Sequence, residues 1–232
     1  PKSWCPATEW DIPGPAVVDI WRLPLDASTV DWDLLSPAER ASAERIRLEG
    51  KKVQKASARS LLRRILALYL TVSPQALEFA YGAHGKPRLT RHPLEFNLSH
   101  SKDLGLLAVA AGPSRDTLGI DLEYARDGRA FVGIAKRFFS TAERDVLLAL
   151  EPALQCEAFY RAWVRKEAYL KAHGTGLSFS SRRFSIDYGT EHSGRVVSTE
   201  MPGDKPERWR FADIDVASQF VGALCFTGES RT

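Results

Sequence analysis

The sequence predicts an α+β protein of two similar subdomains, each a small antiparallel sheet packed with a long helix, with a ligand cleft between them. Three observations carry that prediction. Two long stretches, about 58–70 and 154–173, read as helices. Short β-rich runs bounded by turn residues accompany each of them. Gly112-Pro113-Ser114, close to the midpoint of the 232 residues, is the best linker candidate, so the halves are set at 1–112 and 113–232.

Composition narrows the class. Hydrophobic residues make up 44% and charged residues 26%, an ordinary globular balance that supports a sizeable core. No apolar run approaches the ~18 residues of a membrane span. The first residues lack a charged-then-apolar signal pattern and are broken by Pro6, Pro13 and Pro15. The three cysteines are scattered and without metal-ligand spacing, which points to a reducing, cytoplasmic setting with no disulfide framework. A net charge of +3 does not demand nucleic acid but suits an anionic ligand or an acidic partner. A monomer is expected.

The N-terminal half opens with a strand, Val17 to Leu23. Ser36-Pro37-Ala38-Glu39 is a helix start: Ser36 as N-cap, Pro37 at the first position, and Glu39 closing a capping box. A long basic helical region follows and continues through Leu61, Leu62, Ile65, Leu66, Tyr69 and Leu70. Residues 82–88 read as a loop punctuated by glycine and proline. Glu95–Ser101 and Leu104–Ala111 read as a hairpin across Lys102.

The C-terminal half opens with the strand Thr117–Glu123. Phe131–Phe139 reads as a helix, and Ser140 or Thr141 caps the next. The long helix starting near Leu154 closes at Gly174, because glycine takes a left-handed backbone without a Cβ penalty. Strands follow at 184–187, 195–198, 209–212 and 220–225.

The chemistry concentrates in this half. In the strand, Leu118, Ile120 and Leu122 point one way and Gly119, Asp121 and Glu123 the other, because side chains alternate. Two carboxylates on one face suit convergence on a hard cation such as magnesium; the plain alternative is a solvated strand face. On the long helix Phe159, Trp163, Glu167 and Lys171 form one stripe, two aromatics followed by an acid and a base. Taken alone, Glu167 and Lys171 read as a surface bridge giving only ~0.3–0.5 kcal/mol. Ser99-His100 is not a hydrolase dyad, since neighbours on a strand face opposite ways. Glycine-rich phosphate loops and zinc-protease motifs are missing, so any phosphate must be held by Lys, Arg and a metal.

Several motifs in order resemble one family: Gly85-Lys86-Pro87, Phe96 to Ser101, Gly119 to Glu123, Arg137 to Ser140 with Glu143, and Trp163-x-x-Lys166-Glu167-Ala168-x-x-Lys171-x-x-Gly174-x-Gly176-Leu177. The chain is similar to the 4′-phosphopantetheinyl transferases, in particular the surfactin-synthetase-activating class, over about residues 36–185. The resemblance implies two halves in a pseudo-twofold arrangement with coenzyme A between them. It implies magnesium-dependent transfer of the phosphopantetheine arm to a serine of an apo acyl or peptidyl carrier protein, that is holo-[acyl-carrier-protein] synthase activity, with release of 3′,5′-ADP. Fatty-acid, polyketide and nonribosomal-peptide carriers all fit. By position, Asp121, Glu123 and Glu167 are implied as metal ligands, and Glu167, Lys171 and Asp121 as the catalytic set. Arg59, Gly85, Lys86, Pro87, Ser99, His100 and Lys171 are implied as coenzyme A contacts, with the N-terminal half on the adenine and 3′-phosphate side. Two family lysines are replaced, the chain having Glu39, Arg40 and Ser42 there; Arg40, Arg45, Arg47 and Lys51 are the candidates to take over.

Two other readings use the same residues. A magnesium phosphodiesterase would use the three acids and Lys171 with water as nucleophile. A non-enzymatic module would bind coenzyme A or a carrier without transfer.

Overall fold

The computed structural model describes residues 11–14, 16–112, 118–126, 131–187 and 193–227. Within them the chain divides into two compact units, one of residues 11–81 and 87–112, the other of residues 82–86 and 118–227. Pro113 and Ser114 of the expected linker, and Thr117 of the expected strand, lie outside the described residues.

In the first unit β1 (Val18–Pro24) leads to α1 (Pro37–Glu44) and α2 (Glu49–Leu70). Ser36 caps α1 through Glu39 N–H, and the Glu39 carboxylate returns to Ser36 N–H at 2.8 Å, the expected capping box. The basic helical region is not continuous. It breaks at residues 45–48, where Leu48 precedes α2 without a side-chain cap. A hairpin β2 (Phe79–Tyr81) and β3 (Pro87–Leu89) occupies part of the stretch expected as loop. β4 (Leu94–Ser101) and β5 (Leu104–Ala111) form the expected hairpin, with Lys102 at φ +56° in its turn. The sheet order is β1-β5-β4. Its face packs against α2 through Leu62, Leu66, Phe96, Leu107 and Val109. Tyr69 locks helix to sheet, donating to Asp19 Oδ2 at 2.6 Å and accepting from Trp21 Nε1 at 2.9 Å.

In the second unit β6 (Leu118–Tyr124) is followed by α3 (Phe131–Phe138), α4 (Thr141–Ala149) and α5 (Pro152–His173). Ser140 rather than Thr141 caps α4, again as a capping box closed by Glu143. α5 starts with Pro152 at its first position and ends at Gly174, whose φ of +71° is the expected left-handed stop. Then come β7 (Phe184–Ile186), β8 (Ser193–Thr199), β9 (Trp209–Ile214) and β10 (Phe220–Thr227). They build a five-stranded sheet of order β6-β10-β9-β8-β7, with antiparallel pairings. α5 lies across β6 and β10. Phe139, Phe159, Tyr160, Tyr169, Phe184, Trp209 and Phe211 fill this core. The class is α+β, as predicted. Among the described residues no helix is long and apolar enough to cross a membrane.

Candidate active site

β6 and α5 bring four of the expected side chains together. β6 alternates, so Gly119, Asp121 and Glu123 share the face turned to α5. That face can receive the helix because residue 119 lacks a Cβ. One built there would lie 2.0 Å from Ala168 O and 2.5 Å from Ala172 N. The helix backbone therefore rests directly on the strand at this point. Further along, Trp163 Nε1 donates to Glu123 Oε1 at 3.4 Å. Trp163 is itself held by Phe138 edge-on at 5.3 Å and by Phe159 stacked at 6.0 Å. The aromatic end of the stripe thus sets the helix phase for the ionic end.

Lys171 Nζ donates to Asp121 Oδ1 at 2.6 Å. Asp121 is 5% exposed while the Lys171 side chain is 28% exposed, so the pair is buried on its acid side and open to solvent on its basic side. The pair crosses from helix to strand, unlike the plain alternative of a surface bridge along the helix. Glu167 is pushed up to about 7, first by burial and then by Asp121, against a downward pull from Lys171 and with a further push from Glu123. Three carboxylates and one ammonium leave excess negative charge in a poorly solvated place. Hard oxygen donors and that excess fit a divalent cation such as magnesium. In the geometry present, no group of three or more His, Cys, Asp or Glu among the described residues is arranged as a metal site.

Two residues beside the stripe serve the helix itself. Lys166 is 1% exposed and donates to both oxygens of Glu143 and to Phe184 O, each at 2.8 Å. Its ammonium also lies 3.9 Å from the Phe184 ring centroid. Burial pulls Lys166 down to about 8 against the opposing charge of Glu143. Glu143 Oε1 further accepts Ile186 N–H at 2.9 Å, so one carboxylate joins α4, α5 and β7. Arg165, fully buried, pairs with Asp213 and donates to Asp187 O at 2.8 Å. Sequence reasoning assigned neither pair. Lys166 and Glu143 both stand in the motifs that carry the resemblance, but nothing local joins them. Arg165 carried no signal beyond a charge inside an aromatic-rich helix, and nothing local names Asp213 as its partner.

The loop 82–86 belongs to the same unit. Gly82 N–H bonds Lys86 O at 2.9 Å, and Gly85 turns the chain at φ +86°. Lys86 Nζ then donates to Ala172 O at 2.7 Å and to Leu118 O at 3.2 Å. Its side chain grips the ends of α5 and β6.

Comparison with known proteins gives the family. The 4′-phosphopantetheinyl transferase HetI of Nostoc is 40% identical over 169 residues, covering 69% of this chain and 70% of HetI. This chain belongs to the 4′-phosphopantetheinyl transferase superfamily. The superfamily's own model matches residues 117–225, the span from β6 through α5 to β10. A 4′-phosphopantetheinyl transferase of Bacillus subtilis is 35% identical, covering 71% of this chain and 70% of its own length. The transferase Sfp of Bacillus subtilis is 33% identical, covering 61% of this chain and 60% of Sfp. The solved holo-[acyl-carrier-protein] synthase of Thermotoga maritima aligns at 19% identity and a TM-score of 0.35, covering 50% of this chain and 65% of that one.

The remaining positions expected from the resemblance lie in the first unit. Arg59 Nε donates to Glu39 Oε1 at 2.9 Å, and its guanidinium stacks over Phe79 at 4.9 Å and reaches Tyr81 Oη at 3.1 Å. Arg63 donates to the other Glu39 oxygen at 2.8 Å. Burial pushes Glu39 up, but these guanidiniums outweigh it and hold the carboxyl below its ordinary value. Of the other substitute positions, Arg40 donates to Trp32 O at 2.6 Å and Ser42 Oγ accepts from Lys55. Arg45, Arg47 and Lys51 are exposed. Pro87 opens β3; on β4 Ser99 is buried and His100 exposed, the opposed faces expected of neighbours.

Proposed function

We propose that this phosphopantetheinyl transferase moves the 4′-phosphopantetheine arm of coenzyme A to a serine of an apo acyl or peptidyl carrier protein, releasing 3′,5′-ADP. Within the family assignment, one observation carries the reading: Asp121, Glu123, Glu167 and Lys171 meet where β6 and α5 touch. Transfer of this kind asks for positioning and charge neutralisation rather than covalent help. The serine oxygen bonds to the β-phosphorus as the bond from that phosphorus to the bridging oxygen breaks, and that oxygen leaves with 3′,5′-ADP. Lys171 supplies a positive charge beside the pyrophosphate and offsets the charge gathering on the leaving oxygen. Glu167, one helical turn from Lys171, takes the serine proton directly or through water.

Asp121, Glu123 and Glu167 would hold a magnesium ion, which when bound neutralises pyrophosphate charge. A carrier with an acidic helix beside its serine suits the chain's net positive charge. Arg59, Ser99 and His100 are assigned to the adenine and 3′-phosphate, as the family resemblance implies.

The test is direct. Incubation with coenzyme A, magnesium and apo carriers of the fatty-acid, polyketide and peptide classes should add one phosphopantetheine to the carrier serine, read by intact mass. Asp121→Ala and Lys171→Ala should abolish it while the protein stays folded. No gain on any carrier class rejects the reading. Hydrolysis of a phosphodiester substrate instead would indicate the phosphodiesterase, and coenzyme A binding without transfer the binding module.

A further inference from the structure

The last four carbonyls of a helix have no partner within it. At the end of α5 those of Leu170 and Lys171 are taken by Gly174 N–H, with Thr175 N–H also on Leu170. The carbonyl of Ala172 is taken by a side chain from another segment, the ammonium of Lys86. A cation there also meets the negative end of the helix dipole. The same ammonium holds Leu118 O, the first residue of β6. Ala172 directly follows Lys171, and Leu118 stands three residues before Asp121. One charge therefore ties the strand end bearing Asp121 to the helix end bearing Lys171. The tie lies beside Gly119, where helix and strand meet backbone to backbone with no side chain to set their spacing.

We propose that Lys86 is a positioning residue for the Lys171–Asp121 pair and acts on turnover rather than on coenzyme A affinity. Two of the three donors of its ammonium are already engaged by these carbonyls. The inference rests on the transferase reading above and refines it, since sequence resemblance assigns Lys86 to the ligand.

The experiment compares wild type, Lys86→Met and Lys86→Arg, varying coenzyme A at saturating apo carrier. Amide hydrogen exchange at Gly174 and Thr175 is followed in parallel, with melting curves confirming that each variant folds. Lys86→Met should lower kcat about tenfold with KM for coenzyme A within about twofold, the signature of lost transition-state alignment. Exchange at the two amides should speed up about tenfold as the last turn frays. Lys86→Arg keeps the cation and its donors and should regain most of both effects. A rise in KM for coenzyme A with kcat unchanged in Lys86→Met overturns the proposal in favour of a ligand contact. Unchanged kcat or unchanged exchange in that variant overturns it outright. If wild type itself modifies no carrier, the transferase reading fails, and the exchange result still decides whether the tether exists.

Discussion

Glu167 carries a stability signature that follows from its surroundings. Its folded pKa of about 7 lies above the ordinary glutamate value of ~4.3. Between those values the folded chain binds a proton that the unfolded chain does not. Stability must then fall as pH rises through that window and level off above it. Glu167→Gln, which cannot ionise, should flatten the slope and be the more stable protein at pH 8 in the absence of divalent cations. Urea unfolding at pH 5, 6, 7 and 8 checks this; parallel curves for both proteins would refute it. The acids themselves were legible, because strand alternation and helical spacing are arithmetic on residue numbers. The partner of Lys171 was not. It lies 50 residues away on another element, and it comes within reach because residue 119 is glycine.

α5 shows what one helix can carry on several faces at once. One presents Trp163, Glu167 and Lys171 to β6, and others bury Arg165 and Lys166 with carboxylates from distant segments. Lys166→Met leaves the Glu143 carboxylate buried without that ammonium and should cost about 3–5 kcal/mol. Lys166→Met with Glu143→Gln removes the stranded charge but keeps an acceptor for Ile186 N–H. It should recover at least half of the loss, read by denaturant titration; no recovery would mean that the ammonium's other contacts dominate. Element starts were easier to read than element breaks. Ser36 and Ser140 announce α1 and α4 because a capping box is a local pattern. The break between α1 and α2 has neither proline nor a capping side chain at Leu48, so the basic stretch looked continuous. The strands of the β2–β3 hairpin have three residues each, too short for alternation to register.

Across the whole molecule the sequence conveyed class and content, because each unit repeats the same economy of a long amphipathic helix against antiparallel strands. It could not convey where backbones touch. Gly50 in α2 and Gly133 in α3 have no atom within 4 Å of an added Cβ. Alanine at either should raise stability by about 0.4–1 kcal/mol, seen as a higher melting temperature. Gly119→Ala should do the reverse, since Ala168 O and Ala172 N belong to a helix backbone that cannot turn aside as a side chain would. At residue 119 a single added methyl group would have to pry the helix from the strand, so the seam between them is set by a side chain that is not there.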